Sequence, residues 1–153
     1  MVARKRRRLS VAEQAADWKT SCVVDASVAV KWYTREAGSV QASELVRSIA
    51  EGRCQAHAPE WLVIEVLNAL RWKRLITEQE TGHCLDDLLG TGIQFHAMSA
   101  DLSRRALACS WRHGLTMYDA SYVALAETLR APLVTADGGI LKSLGPTGLA
   151  IPL

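Results

Sequence analysis

Two acidic residues stand where a carboxylate could take part in chemistry rather than only face water. Asp25 and Asp137 each follow a short hydrophobic run, residues 22–24 and 133–135. In open α/β sheets, ligands bind in the crevice at the carboxyl ends of the strands. Either residue alone would be interpreted as a turn or cap residue. Two acids at equivalent strand ends instead indicate a shared site.

Glu65 is a third candidate because of its surroundings in the sequence. Residues 61–67 are apolar nearly all round a predicted helix, with Glu65 among them. A charge there is costly unless it is paired or bound to a cation, and Glu is seldom buried without a specific partner. Asn68 falls on the same helix face. The alternative is an ion pair with Arg71 or Arg47, which we rank below a functional role.

Asp119 is the fourth candidate, and a structural explanation suffices for it when it is taken alone. It lies in the first turn of the helix that Thr116 caps, where capping and the helix dipole favour an acid. That end of a helix can nevertheless face the same crevice. Four acids that meet would repel one another unless they shared cations. Oxygen ligands without Cys or His select Mg²⁺ or Mn²⁺, and such ions activate water for phosphodiester hydrolysis.

The elements that must position these acids alternate between strand and helix. Short aliphatic runs predict the strands, and 3.6-residue periodicity with capping signals predicts the helices. The predicted strands are residues 22–25, 54–58, 94–98, 133–135 and 149–152, and the predicted helices are 28–33, 39–50, 60–74, 77–90, 101–113 and 116–129. Ser27 is the expected cap of the first helix. This order predicts an α/β fold with a mostly parallel sheet covered on both faces.

Composition predicts one globular domain with a basic extension. The chain has 153 residues, nearly half of them apolar, and no apolar run long enough to span a membrane. Without a secretory signal, we expect a cytoplasmic protein. Residues 1–20 hold six basic and two acidic residues, which leaves residues 21–153 slightly acidic. We interpret 1–20 as a flexible basic extension, with a phosphate-binding arm as the alternative, and 21–153 as the domain.

Cysteine and histidine do not indicate a further site. The four cysteines form no CxxC pair, so we interpret them as buried structural thiols rather than zinc ligands or disulfides. The four histidines are scattered, and we assign them no catalytic role.

Four segments, taken in order, resemble the PIN-domain nucleases, in particular the VapC-type toxins of prokaryotic toxin–antitoxin pairs. The segments are Val23-Val24-Asp25-Ala26-Ser27, Pro59-x5-Glu65-Val66-x-Asn68-Ala69-Leu70, Tyr118-Asp119-Ala120-Ser121-Tyr122-Val123-Ala124-Leu125-Ala126 and Leu133-Val134-Thr135-Ala136-Asp137. The likeness covers residues 22–152. It implies a three-layer α/β/α sandwich and a Mg²⁺- or Mn²⁺-dependent endoribonuclease. It also implies frequent homodimers and a cognate antitoxin protein that inserts into the active-site groove.

The resemblance also implies roles for individual residues. Asp25 and Asp119 would be the principal metal ligands, and Glu65 and Asp137 would complete the acidic pocket. The supporting polar groups would be Ser27, Thr135 and Asn68. Two features depart from the family pattern. About twenty residues precede the first strand, and two glycines follow Asp137, where we expect a tight turn that leaves the site open.

Two other functions stay open at this stage. A magnesium-dependent phosphatase or phosphotransfer domain would use a nucleophilic Asp, but Asp25 lacks the Asp-x-Asp arrangement expected of such phosphatases. Trapping a phospho-aspartate with a metal fluoride would reveal it. A non-catalytic domain that binds RNA or protein is the other alternative, and titration with Mn²⁺ would separate it from the nuclease.

Overall fold

The computed structural model describes residues 20–73 and 76–153. The predicted basic extension, apart from Thr20, lies outside the described residues. The strands are β1 (Ser21–Val24), β2 (Gln55–Pro59), β3 (Gln94–His96), β4 (Leu133–Thr135) and β5 (Ala150–Pro152). The helices are α1 (Ala26–Ala29), α2 (Ser39–Ala50), α3 (Leu62–Trp72), α4 (Glu78–Gly90), α5 (Ala100–His113), α6 (Met117–Leu129) and α7 (Gly138–Leu144). Single 3₁₀ turns follow α1 at Val30–Trp32 and α7 at Gly145–Thr147.

The five strands form one all-parallel sheet in the order β3-β2-β1-β4-β5. The chain builds outward from β1 to β3 and then returns to place β4 on the other side of β1. The strand order therefore reverses between β1 and β4, where Val24 pairs with Val134. A ligand crevice is expected at the carboxyl ends of the strands at this reversal. The fold confirms the predicted α/β class and the parallel sheet.

The most deeply buried helix is α6, which packs on β1, β2 and β4. Seven consecutive residues, 120–126, are buried. Where a helix is buried all round, its residues are expected to be apolar, and these seven residues are apolar except for Ser121 and the hydroxyl of Tyr122. Its packing fixes the amino-terminal turn of α6, and therefore Asp119, relative to the sheet.

Several start and stop signals in the sequence are confirmed. Thr77 and Glu80 form the predicted capping box of α4, Thr116 caps α6, and Gly114 ends α5 in the left-handed conformation. All four cysteines lie in the described residues, are buried and form no disulfide, as expected. In the same residues, no helix has the length and apolar character needed to cross a bilayer.

Two local predictions were wrong. Ser27 does not cap the first helix, because Asp25 takes the cap position and α1 begins at Ala26, before the predicted start. The two glycines after Asp137 do not form a tight turn but open α7, with Asp137 as its cap. Helix α3 is also shorter than predicted at both ends, and β3 ends two residues early.

Candidate active site

Asp25 lies at the end of β1, in the crevice beside β4, and only 4% of the residue is exposed. The hydroxyls of Ser27 and Thr135 both donate to its Oδ2, the second over 2.7 Å. No ion pair among the described residues involves Asp25. Burial raises the pKa of Asp25, the two hydroxyls oppose this, and the charges of Asp119 and Asp137 raise it further. The site thus holds a buried carboxylate that no cation of the described chain compensates.

The same two hydroxyls attach the loop after β4 to Asp25. Ser27 Oγ accepts the backbone N–H of Ala136 over 2.9 Å, and Thr135 Oγ1 accepts that of Asp137 over 2.9 Å. Each hydroxyl therefore donates to the carboxylate and accepts from the backbone, so its hydrogen has a fixed direction. The predicted supporting residues Ser27 and Thr135 contact Asp25 directly.

Asp137 caps α7 with one of its two oxygens. Oδ1 accepts the backbone N–H groups of Gly139 over 2.6 Å and Ile140 over 3.0 Å. A Cβ atom at Gly139 would lie 2.9 Å from this oxygen, closer than real Cβ contacts. The glycine at 139 is therefore explained by the close approach of the cap carboxylate, which a larger residue would displace.

Glu65 is half-buried on α3 and is paired with a tyrosine rather than with an arginine. The hydroxyl of Tyr122, fully buried in α6, donates to Glu65 Oε2 over 2.6 Å. Burial raises the pKa of Glu65 to about 6, the tyrosine hydrogen bond opposes this, and the charges of Asp25 and Asp119 raise it further. Burial and Glu65 in turn hold the pKa of Tyr122 far above its usual range, so the phenol stays a donor.

The alternative explanation of Glu65 is not supported. Neither Arg71 nor Arg47 forms an ion pair with it in the part of the chain that the structure describes. Asn68, predicted to support Glu65, is exposed on α3, and its role stays a prediction.

Asp119 is held at the start of α6 by Thr116, as the sequence indicates. Its backbone N–H donates to Thr116 Oγ1 over 3.1 Å, and the Thr116 hydroxyl donates to Asp119 Oδ2 over 2.8 Å. The Trp61 ring packs against Tyr118 with 5.5 Å between centroids, and its Nε1 donates to Ser121 Oγ over 2.9 Å. Trp61 thereby ties the start of α3 to the start of α6.

The four acids share one arrangement: a neutral group of the chain engages only one oxygen of each. The engaged atoms are Asp25 Oδ2, Glu65 Oε2, Asp119 Oδ2 and Asp137 Oδ1. The other four oxygens accept no hydrogen bond from the described residues. Carboxylate oxygens without a hydrogen-bond partner are the ligands that Mg²⁺ and Mn²⁺ prefer.

The four acids are electrostatic neighbours, but they do not form a ready-made cage. Glu65, Asp119 and Asp137 each act on the pKa of Asp25 or are acted on by it. Among the described residues, however, no three acidic, His or Cys side chains are grouped closely enough to hold one metal ion. Each carboxylate is oriented by a donor of its own, so a shared ion requires these side chains to turn toward it.

Sequence reasoning missed Tyr122 and Trp61 as parts of the site. Both signals were present, because a tyrosine or tryptophan in an apolar helix needs a partner for its polar atom. Tyr122 also lies three residues after Asp119, on the same side of the helix. What the sequence did not contain was the packing of α3 against α6 that makes Glu65 and Ser121 their partners.

Known proteins share this fold and these motifs. The family model described as PIN domain matches residues 22–143. Ribonuclease VapC3 of Pyrobaculum aerophilum is 36% identical over 121 residues, which cover 75% of this chain and 88% of that protein. Two solved structures, 18% and 17% identical, show the same fold. One is a toxin–antitoxin complex from Klebsiella pneumoniae (TM-score 0.61, 85% of this chain and 95% of that one). The other is VapC20 of Mycobacterium tuberculosis, a sarcin-ricin loop cleaving toxin (TM-score 0.63, 80% and 94%). With its parallel sheet, its four acids and these matches, the chain belongs to the PIN-domain family.

Proposed function

We propose that this chain is a metal-dependent endoribonuclease, the toxin of a toxin–antitoxin pair, that cuts RNA at the site of Asp25, Glu65, Asp119 and Asp137. One observation carries the proposal: the Asp25 carboxylate is buried in the crevice between β1 and β4, and only neutral hydroxyls contact it. A buried charge of this kind is costly unless a cation compensates it. The relative named Ribonuclease VapC3 supports the activity.

PIN-domain ribonucleases of the VapC type are metal-dependent in general. For this chain we propose Mg²⁺, with Mn²⁺ as a substitute, because the available donors are carboxylate oxygens. Asp25 and Asp119 would be the principal ligands, and Glu65 and Asp137 would complete the set. When bound, the ion lowers the pKa of a water molecule and stabilises the negative charge that develops on phosphate oxygens.

The residues around the acids orient them for this task. Ser27 and Thr135 hold Oδ2 of Asp25, which leaves Oδ1 for the ion. Tyr122 holds Oε2 of Glu65, and the pKa of Glu65 near 6 lies where a carboxylate can take up and release a proton close to neutral pH. In the metal-free protein this proton is exchanged at Oε1, the oxygen that would face the ion.

The proposed partners are an RNA substrate, a cognate antitoxin protein and a second copy of the chain. The fold shared with a toxin–antitoxin complex supports the antitoxin. Helix α3 also carries Ile64 and Trp72 on one exposed face, and 78% of Trp72 is accessible. Exposed apolar side chains of this size suit a protein interface.

The Asp25→Asn variant tests the proposal. It keeps the size of the side chain and removes the charge, so metal-dependent cleavage of single-stranded RNA should fall by at least about 100-fold, and expression should no longer arrest growth. Asp101→Asn is the matched control, because Asp101 is an exposed acid on α5 that pairs with Arg105. Full cleavage by Asp25→Asn, with the control also active, would refute the assignment.

A further inference from the structure

A cavity of about 320 Å³ opens beside the acidic site, and it is lined by cations as well as acids. Ser27 and Glu65, which belong to the site, contribute to its wall, together with Lys31, Glu36 and Lys73. The cavity therefore joins Ser27 and Glu65 of the acidic site to a region that holds two lysines. Lys31, Glu36 and Lys73 have no part in the proposed metal chemistry, so they need a separate explanation.

Lys31 is held in place before any ligand arrives. Its Nζ donates to the carbonyl oxygen of Ala37 over 2.8 Å and lies 3.6 Å from Glu36 Oε2, and its side chain is only 13% exposed. Gly38, with φ +87°, has the left-handed backbone conformation that favours glycine, and it directly follows the carbonyl group to which Lys31 donates. A cation positioned in this way loses less side-chain entropy when it binds an anion than a mobile surface lysine does.

Lys73 approaches the same region from the carboxyl end of α3. It is exposed, and its side chain forms no ion pair or hydrogen bond with the residues that the structure describes. Its charge nevertheless reaches Glu36: the Thr34 hydroxyl and the charges of Lys31 and Lys73 hold the pKa of Glu36 below its ordinary value. Glu36 is thus a carboxylate located near two lysines in a solvent-open cavity.

We propose that this cavity binds one backbone phosphate of the RNA, next to the phosphate that is cut, between Lys31 and Lys73, and that Glu36 occupies the place of that phosphate until RNA displaces it. The inference rests on the proposed ribonuclease function and adds a substrate-binding site to it.

The charge distribution supports this assignment. Residues 21–153 are slightly acidic, and the site itself concentrates four carboxylates, so the approach of RNA needs a nearby cationic contact. Phosphate contacts by lysine position a nucleic acid without reading its sequence. Glu36 is an exposed anion of the same sign as a phosphate, and its Oε2 lies 3.6 Å from Lys31 Nζ, so a phosphate can take its place beside the lysine.

The test is binding of a short, fluorescently labelled single-stranded oligoribonucleotide in EDTA, where binding is measured without cleavage. Lys73→Met should weaken binding about fivefold at low salt and reduce the slope of log K against log salt by about 0.7, the value for one single-strand phosphate contact. Lys73→Arg keeps the charge and should keep the slope. The Lys73 side chain makes no hydrogen bond in the described residues, whereas Lys31→Met, with the same expected effect on binding, removes the hydrogen bond to Ala37.

Glu36→Gln should tighten binding about threefold, and this gain should be smaller in the Lys73→Met background, because one of the two lysines near Glu36 is then absent. Glu51→Gln is the matched control, because Glu51 also pairs with a cation, Arg53. Glu51 precedes β2 and so lies where the parallel strands begin, whereas Asp25 lies where they end. An equal gain from Glu51→Gln, or an unchanged salt slope in Lys73→Met, would overturn the phosphate site while leaving the nuclease proposal intact. If the unaltered chain binds no RNA and cleaves none, both proposals fall.

Discussion

Replacement of Glu65 by Gln should stabilise the metal-free protein, because the carboxylate is less stable in its folded position than in the unfolded chain. Its pKa is raised from the ordinary 4.5 to about 6 by burial and by Asp25 and Asp119. The folded protein therefore binds more protons than the unfolded chain between these two pH values. Stability then falls as the pH rises from about 4.5 to about 6, and the full loss remains at higher pH.

The size of this loss of stability follows from the pKa shift of Glu65. At 1.36 kcal/mol for each pH unit, the full loss is about 2 kcal/mol, and solvent screening of this half-buried group reduces it to about 1 kcal/mol. Gln cannot ionise, and its amide oxygen still accepts the Tyr122 hydroxyl. In EDTA near pH 7.5 we expect Glu65→Gln to raise the Tm by about 3 °C, and near pH 4.5 to leave it unchanged.

Thermal unfolding followed by circular dichroism measures this difference. Glu44→Gln, an exposed acid on α2, is the control for the loss of a surface charge. Addition of Mn²⁺ near pH 7.5 should then stabilise the unaltered chain more than Glu65→Gln, because the variant lacks one proposed ligand. A variant that is less stable than the unaltered chain in EDTA near pH 7.5, or a gain that does not depend on pH, would refute the reasoning.

Two further substitutions test the groups that orient the acids. Thr135→Val removes the hydroxyl that donates to Asp25, so we expect a loss of about 2 kcal/mol of stability, measured by urea unfolding. The pKa of Asp25 should rise without this hydrogen bond, so the acid limb of the cleavage–pH profile should move to higher pH. An unchanged profile would contradict the role of the hydroxyl. Gly139→Ala places a Cβ against Asp137 Oδ1, so it should cost about 1 kcal/mol of helix-capping stability. The displaced Asp137 should also weaken Mn²⁺ binding, measured by calorimetry. Unaltered Mn²⁺ binding would remove Asp137 from the proposed ligands.

The parts of the site that the sequence could predict depend on local signals and on one topological rule. Asp25 and Asp137 follow aliphatic strands, and parallel strands bring their carboxyl ends to the same edge. The Thr116 cap of α6 is a local motif that placed Asp119 in the first turn. None of these inferences requires knowledge of which helix faces touch, which is why they could be made from the chain alone.

What could not be predicted depends on contacts between distant elements. Glu65 and Tyr122 are 57 positions apart, and helical periodicity shows that each lies in an apolar helix without showing that α3 meets α6. At the first helix, Asp25 and Ser27 are both good cap residues, and local propensity does not choose between them. In the structure neither side chain caps the helix, because Asp25 accepts from Thr135 and Ser27 accepts from the backbone N–H of Ala136.

The choice of donors explains why this arrangement suits a cation. Among the described residues, every group that holds one of the four acids is a hydroxyl or a backbone N–H, and none is a lysine or an arginine. A cationic partner would orient a carboxylate equally well, but it would also cancel the negative charge that attracts a metal ion. Neutral donors fix the orientation and leave the charge, and the raised pKa values of Asp25 and Glu65 report the cost. Asp25 and Glu65, whose negative charges are costly in the metal-free fold, are therefore expected to be stabilised when the ion binds.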